Sequence, residues 1–359
     1  MLRQKGQRRP IPPKAITINE IAREAGVSTA TVSRVFNQPA KVKKQTRERV
    51  SAVIDRHHYV SHGLAGGLAS RRSRFLGLVI PTVTNSIYAS STQAVHHAAQ
   101  RAGYTVLVGV SDFSEEREAA LIHQLVSRRV EGLILTGEQR SPAVYEKIVR
   151  NHCPFVITWK LTHSREHPSV SFDNIKATRA AVDHLLGLGH RRIGLICGRT
   201  DLNDRALQRK TAFEQALRDF GIELDPELIF ERSFEFVEGR AAMHRMLQLG
   251  QPPTGVFCAN DIQAIGALSE CRDAGVSVPT DMSIVGFDDL PIAQYITPRL
   301  TTVRVPAQEM GDSATMRLIA AIENGEPVLP LELLTDLVIR ETTGPCRVRQ
   351  KLRRSATVS

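Results

Sequence analysis

The chain has 359 residues, 42% of them hydrophobic and 23% charged, which is more than one compact domain usually holds and excludes global disorder. No apolar run reaches the roughly 18 residues of a transmembrane helix, and the basic start (Arg3, Lys5, Arg8, Arg9) is not followed by a signal-peptide core, so cytoplasmic residence is expected. Charge is unevenly spread: residues 1–74 carry 16 Lys/Arg against 4 Asp/Glu, residues 75–344 carry 26 against 33, and residues 345–359 carry 5 against none. A basic head on an acidic body points to a head that meets a polyanion, with nucleic acid the first candidate.

In chain order, residues 1–14 read as a basic, proline-containing flexible arm (Pro10, Pro12, Pro13). Thr17 and Glu20 have capping-box spacing, so a helix should open there with Ile18, Ile21, Ala22 and Ala25 on its apolar face. Gly26 ends it. Ser28 is an N-cap candidate for a second helix carrying Val32, Val35 and Phe36 on one side, and Asn37, Gln38 and Pro39 stop that helix. A third helix should open at Thr46. Three short helices over residues 15–60, two joined by a glycine turn, describe a helix-turn-helix unit.

Residues 61–74 read as a weakly structured hinge. From there to 344, short apolar runs (Phe75–Ile80, Tyr104–Gly109, Gly132–Thr136, Pro154–Thr158, Arg192–Cys197, Thr254–Cys258, Ser283–Phe287) alternate with helical patterns (Tyr88–Ala102, Glu115–Arg128, Asn174–Leu188, Arg205–Phe220, Asp261–Ala274). Strand–helix alternation predicts parallel sheets with helices on both faces, and about 270 residues is too long for one such sheet, so two lobes are expected. Residues 345–359 read as a basic tail without a leucine heptad.

Catalytic and cofactor motifs are missing. No GxGxxG follows the first strand, and GxxxxGK[ST], GxSxG and HExxH do not occur. The five cysteines (Cys153, Cys197, Cys258, Cys271, Cys346) include no CxxC pair and read as reduced, mostly buried residues. His96 and His97 are adjacent and poorly placed to share a metal. Asp288 and Asp289 follow a predicted strand, where an open α/β sheet holds ligands. No enzyme, cofactor or metal site is expected.

The segment 17–37, TINEIAREAGVSTATVSRVFN, closely resembles the DNA-binding head of the lactose/galactose repressor (LacI/GalR) family, whose mark is VA..AGVS..TVSRVLN. It departs mainly at Ile21 and Phe36. Further blocks resemble the family in family order: GYTVLVG at 103–109, RRVEGLIL at 128–135, SFDN at 171–174, GHRRIGLI at 189–196, FCANDIQAIGAL at 257–268, VPTDMSIVGFDD at 278–289 and PRLTTVRVP at 298–306.

The resemblance implies an all-α helix-turn-helix head and a two-lobed α/β body like the periplasmic sugar-binding proteins, with parallel sheets and lobe crossings near 160, 290 and 324. By resemblance, Thr29, Ala30 and Arg34 are the base readers. An arginine there can donate two hydrogen bonds to guanine, and Thr29 and Ala30 can offer a methyl contact to thymine. Thr17, Ser28, Thr31, Ser33 and Asn37 read as caps and phosphate contacts. Leu68 matches the hinge leucine that wedges into the minor groove; Gly66 and Gly67 beside it depart from better helix formers.

For the body, the resemblance implies an effector site of Asn260, Asp261, Asp288, Arg209 and Phe234, with Ile87 and Tyr88 opening the helix that faces the cleft. Trp159 stands where sugar-binding members often carry a polar residue. Lys160, Arg205 and Arg209 near the cleft mouth lean toward an anionic effector, a sugar acid such as gluconate; a neutral sugar is the near alternative, and a nucleobase or nucleoside the lesser one. The expected protein is a homodimeric transcriptional regulator, most often a repressor, that binds operator DNA and a small-molecule effector. A transport-type sugar-binding protein shares the lobes but lacks the DNA head.

Overall fold

The computed structural model describes residues 16–59, 72–201 and 203–346. The chain divides into two compact units between Ser73 and Arg74. The arm 1–14, hinge residues Gly66, Gly67 and Leu68, and the tail from 347 lie outside the described residues.

The first unit holds α1 (Ile18–Glu24), α2 (Thr29–Asn37) and α3 (Lys44–Arg56). The capping box forms at α1: the Thr17 amide donates to Glu20 Oε2 at 2.7 Å, and the Glu20 amide donates to Thr17 Oγ1 at 3.4 Å. Gly26, with φ of 64°, supplies the left-handed turn residue between α1 and α2. Ile21, Ala22, Ala25, Val32, Val35, Val50 and Val53 form the core. Phe36 departs from its expected place on that face. It is partly exposed and instead meets Tyr59, ring centroids 6.2 Å apart. The third helix opens two residues earlier than expected, and Arg56 and His57 at its end both reach Glu24 of α1, at 2.7 and 2.6 Å.

The second unit has two lobes. The N-terminal lobe is a four-stranded parallel sheet in the order β2-β1-β3-β4, from β1 (Phe75–Ile80), β2 (Thr105–Val110), β3 (Gly132–Thr136) and β4 (Phe155–Thr158). α4 (Ser86–Arg101), α5 (Glu115–Ser127) and α6 (Pro142–Arg150) link these strands, and α11 (Ala307–Asn324) returns to pack on α4, β3 and β4. β3 and β4 are buried along their whole length, as a sheet covered on both faces requires.

The C-terminal lobe is a six-stranded sheet in the order β12-β10-β9-β8-β6-β7. Its strands are β6 (Ile193–Cys197), β7 (Ile229–Glu231), β8 (Gly255–Cys258), β9 (Ser283–Asp288), β10 (Thr301–Arg304) and β12 (Asp336–Val338). Only the β10–β12 pair is antiparallel. Its helices are α7 (Asn174–Gly187), α8 (Asp204–Asp219), α9 (Phe236–Leu247) and α10 (Asp261–Asp273). β5 (Val170–Phe172) and β11 (Leu331–Leu333) pair as a separate two-stranded ribbon.

The expected crossing near 290 is misplaced. After β9 the chain stays in the C-terminal lobe, because β10 pairs with β9 from Thr301 to Arg304, and it leaves for α11 only after Arg304. The other crossings follow β4 and α11. Four cysteines are buried and all five are free; burial pushes the thiols of Cys153, Cys197 and Cys271 up to about 12.

Candidate nucleic-acid interface and effector cleft

In the head, Val32 and Val35 turn inward and leave Thr29, Ala30 and Arg34 exposed on α2. Ser28 is the N-cap: its Oγ accepts the Thr31 amide at 3.2 Å and lies 3.0 Å from Thr31 Oγ1. Thr17 is likewise an exposed cap. Ser33 is half-buried on α2. Asn37 is the last residue of α2, and its side chain lies outside the description.

In the body, a small cavity is lined from both lobes. Ile87, Tyr88 and Trp159 come from the N-terminal lobe and its first crossing; Arg205, Arg209, Phe234, Asn260 and Asp288 come from the other lobe. Three asparagines cap helices that begin at this cavity, and two of them, Asn85 and Asn203, escaped the sequence reading. Asn85 Oδ1 accepts from Ile87, Asn203 Oδ1 from Arg205 and Ala206, and Asn260 Oδ1 from Ile262. An asparagine just before each helical pattern was the available signal. The positive ends of α4, α8 and α10 therefore converge on the cavity.

Asp288 ends β9 with φ of 120° and is 3% exposed. Its Oδ2 accepts from Asn260 Nδ2 at 2.6 Å, while Oδ1 has no partner. Burial pushes its carboxyl up to about 7 against the opposing pull of Arg209 and the Asn260 hydrogen bond. Arg209 donates to Asn174 Oδ1 at 2.9 Å and to the Ala259 carbonyl at 2.7 Å, and lies 3.8 Å over the Phe287 ring. Burial draws its guanidinium below the ordinary value, with Asp288 opposing.

The aromatic wall is packed. Trp159, 2% exposed, meets Tyr88 edge-on at 4.9 Å. Its carbonyl accepts from Asn174 Nδ2 at 2.9 Å. Phe234 reaches the ring of Phe113, from the loop after β2 in the opposite lobe, at 5.9 Å. Phe113 was not foreseen, since nothing in a loop phenylalanine's sequence neighbourhood marks it.

Two expected site residues turn elsewhere. Asp261 is one position past the cap, so it faces inward: Oδ1 accepts from Thr302 Oγ1 at 2.5 Å and Oδ2 from the Leu290 amide at 2.7 Å. Lys160 lies 2.7 Å from Glu138 Oε2 and 3.7 Å from Asp204 Oδ2, and does not line the cavity. Arg205 does line it, but donates to Asp204 at 2.8 Å. The expected surplus of positive charge at the cleft mouth is therefore matched by acids.

A helix-turn-helix head with an exposed recognition face, on a two-lobed α/β body closed around a small cavity, defines a ligand-responsive DNA-binding protein. Comparison with known proteins gives the family. Residues 17–62 match the model for bacterial regulatory proteins of the lacI family, and residues 182–343 match the periplasmic binding protein-like domain. The HTH-type transcriptional repressor CytR of Escherichia coli (strain K12) is 34% identical over 92% of this chain and 96% of its own length. The crystal structure of the Lac repressor dimer bound to operator and the anti-inducer ONPF superposes with a TM-score of 0.80, at 28% identity over 92% of this chain and all of that one. A complex of the transcriptional regulator CelR with cellobiose gives a TM-score of 0.68 at 29% identity, over 91% and 99% of the two chains. The chain belongs to the LacI family and is a DNA-binding transcriptional repressor. Among the described residues no helix is long and apolar enough to cross a membrane.

Proposed function

We propose that this repressor binds its operator as a homodimer and that its affinity for DNA is set by a neutral sugar held between the lobes. The observation that carries the reading is the unpartnered Asp288 Oδ1, buried in a cavity where three helix N-termini converge. A carboxylate oxygen with open acceptor capacity suits a hydroxyl donor, and a hydrogen bond to a charged group contributes about 1.5–3 kcal/mol. Tyr88, Trp159 and Phe234 offer apolar faces to the carbon side of a sugar ring. A sugar acid such as gluconate is less well served, because Lys160 and Arg205 are already paired with Glu138 and Asp204. The relative solved with cellobiose lends weight to a sugar.

In the head, Arg34, Thr29 and Ala30 are assigned to base edges, and Thr17, Ser28, Thr31, Ser33 and Asn37 to caps and phosphates. Leu68 is assigned to the operator centre. The exposed Ile292 and Tyr295 supply apolar surface for a second copy.

A thermal-shift screen of neutral sugars, sugar acids and nucleosides tests the effector class. A ligand at 100 times its Kd adds about 2.7 kcal/mol to stability. Stabilisation by a neutral sugar, lost in Asp288→Ala, is the expected result. A response to sugar acids or nucleosides alone would overturn the assignment.

A further inference from the structure

The lobes are fastened at a second place, at the cleft mouth. Gly137, directly after β3, has φ of 73°. This left-handed residue turns the following amides to one side, forming a concavity suited to an anion. The anion seated there belongs to the protein itself: Asp204, the first residue of α8 in the opposite lobe. Its Oδ2 accepts from the Glu138 amide at 2.7 Å and from the Gln139 amide at 3.1 Å. Gln139 Nε2 also donates to the Asp201 carbonyl at 3.3 Å.

Side chains complete the cluster. Arg205 lies against Gly137 so closely that a Cβ on that glycine would stand 1.9 Å from its Nη1 and 2.7 Å from Asp204 Oδ1. Lys160 bridges Glu138 and Asp204, and His167 Nδ1 meets Glu138 Oε1 at 3.1 Å while stacking on Tyr145. Two carboxylates, Glu138 and Asp204, thus face Lys160 and Arg205. Burial alone would raise Asp204, but Arg205, the two amides and Lys160 hold it below its ordinary value.

We propose that Asp204 in the 137–139 nest is a latch that holds the cleft shut when no effector is bound, so that admission of an effector requires its release. The assignment is independent of what the effector is.

Electron–electron spin distance measurement on the full chain tests the latch. Labels go on exposed Val149 and Phe220, one in each lobe, in a Cys346→Ser background. Effector-free wild type is expected to give a short, narrow distance distribution. Asp204→Ala and Gly137→Ala, which break the nest from opposite lobes, are each expected to shift it to longer separations. Combining them is expected to add nothing, because both remove one device. Asp204→Asn keeps an acceptor but loses the attraction to Lys160 and Arg205, and is expected to fall between. Circular dichroism and a single cooperative melt certify that each variant is folded; if Asp204→Ala is not, the other two decide. A long-distance distribution in wild type, or unchanged distances in the folded variants, overturns the latch.

Discussion

Asp288 carries two opposed demands at the residue scale. Its folded-state value of about 7 lies above the ordinary 3.8, so the folded protein keeps a proton that the unfolded chain releases. That contribution is complete below about pH 4 and is lost as pH rises through about 7. The size of the loss is on the order of 4 kcal/mol. Glu138 and Asp204, held below their ordinary values by Lys160, His167 and Arg205, act with the opposite sign at acid pH, so the informative quantity is the difference between variant and wild type. Effector-free Asp288→Asn is expected to melt above wild type at pH 8 and near it at pH 4. Equal melting temperatures at both pH values would remove the strain assigned to this carboxyl. The same variant is expected to bind effector about tenfold or more weakly, because an acceptor for hydroxyls becomes in part a donor; calorimetry measures it. Arg34 is the corresponding residue in the head. Exposed and outside the core, it is expected to tolerate Arg34→Ala without loss of fold while operator binding falls and preference at one base position relaxes, by about 1–3 kcal/mol. Unchanged operator affinity at about 0.15 M salt would give the base contact to another side chain.

Caps organise the elements on which these residues stand. Ser28 Oγ accepts the Thr31 amide at the start of α2, and such a cap contributes about 1 kcal/mol. Ser28→Ala is expected to lower the melting point of the head, followed by circular dichroism, and to weaken operator binding through fraying of α2 rather than loss of a base contact. A head of unchanged stability would leave Ser28 as a surface residue. Elements with a cap or a continuous apolar run were legible in the sequence: the Thr17–Glu20 box, the strands at 75–80, 132–136 and 283–287, and the helices α4, α5, α7, α8 and α10. The strands β5, β7, β10, β11 and β12 and the helices α6, α9 and α11 were not, the strands because three or four residues are too few to carry a period. In the candidate site, the sequence marks the strand end and the helix start but not the direction of each side chain. Asn260 points into the cavity, and Asp261, one step around the helix, points to Thr302. The ion pairs that match Lys160 join segments tens of residues apart or opposite lobes, and Arg205 pairs with its own neighbour Asp204, so counting bases near the cleft mouth overstated its positive charge.

Charge is partitioned across the whole molecule as sharply as fold. Residues 1–74 carry 16 basic against 4 acidic side chains, while residues 75–344 carry 26 against 33. Phosphate neutralisation is therefore expected of the head and not of residues 75–344, whose net negative charge opposes a polyanion. Two consequences separate the electrostatic part of DNA binding from its sequence preference. Operator affinity of the full chain should fall steeply with salt: a protein that neutralises about 6–10 phosphates loses roughly 10³–10⁵ in affinity between about 50 and 200 mM. A chain of residues 75–344, which lies within one compact unit, should bind effector with undiminished affinity and show no affinity for duplex DNA even at about 50 mM salt. Fluorescence anisotropy with a labelled operator measures the first, and the same assay on the truncated chain measures the second. A flat salt dependence would mean that base contacts, not phosphates, supply most of the binding. Duplex affinity in the truncated chain would place part of the DNA interface on the body, where the net charge predicts none.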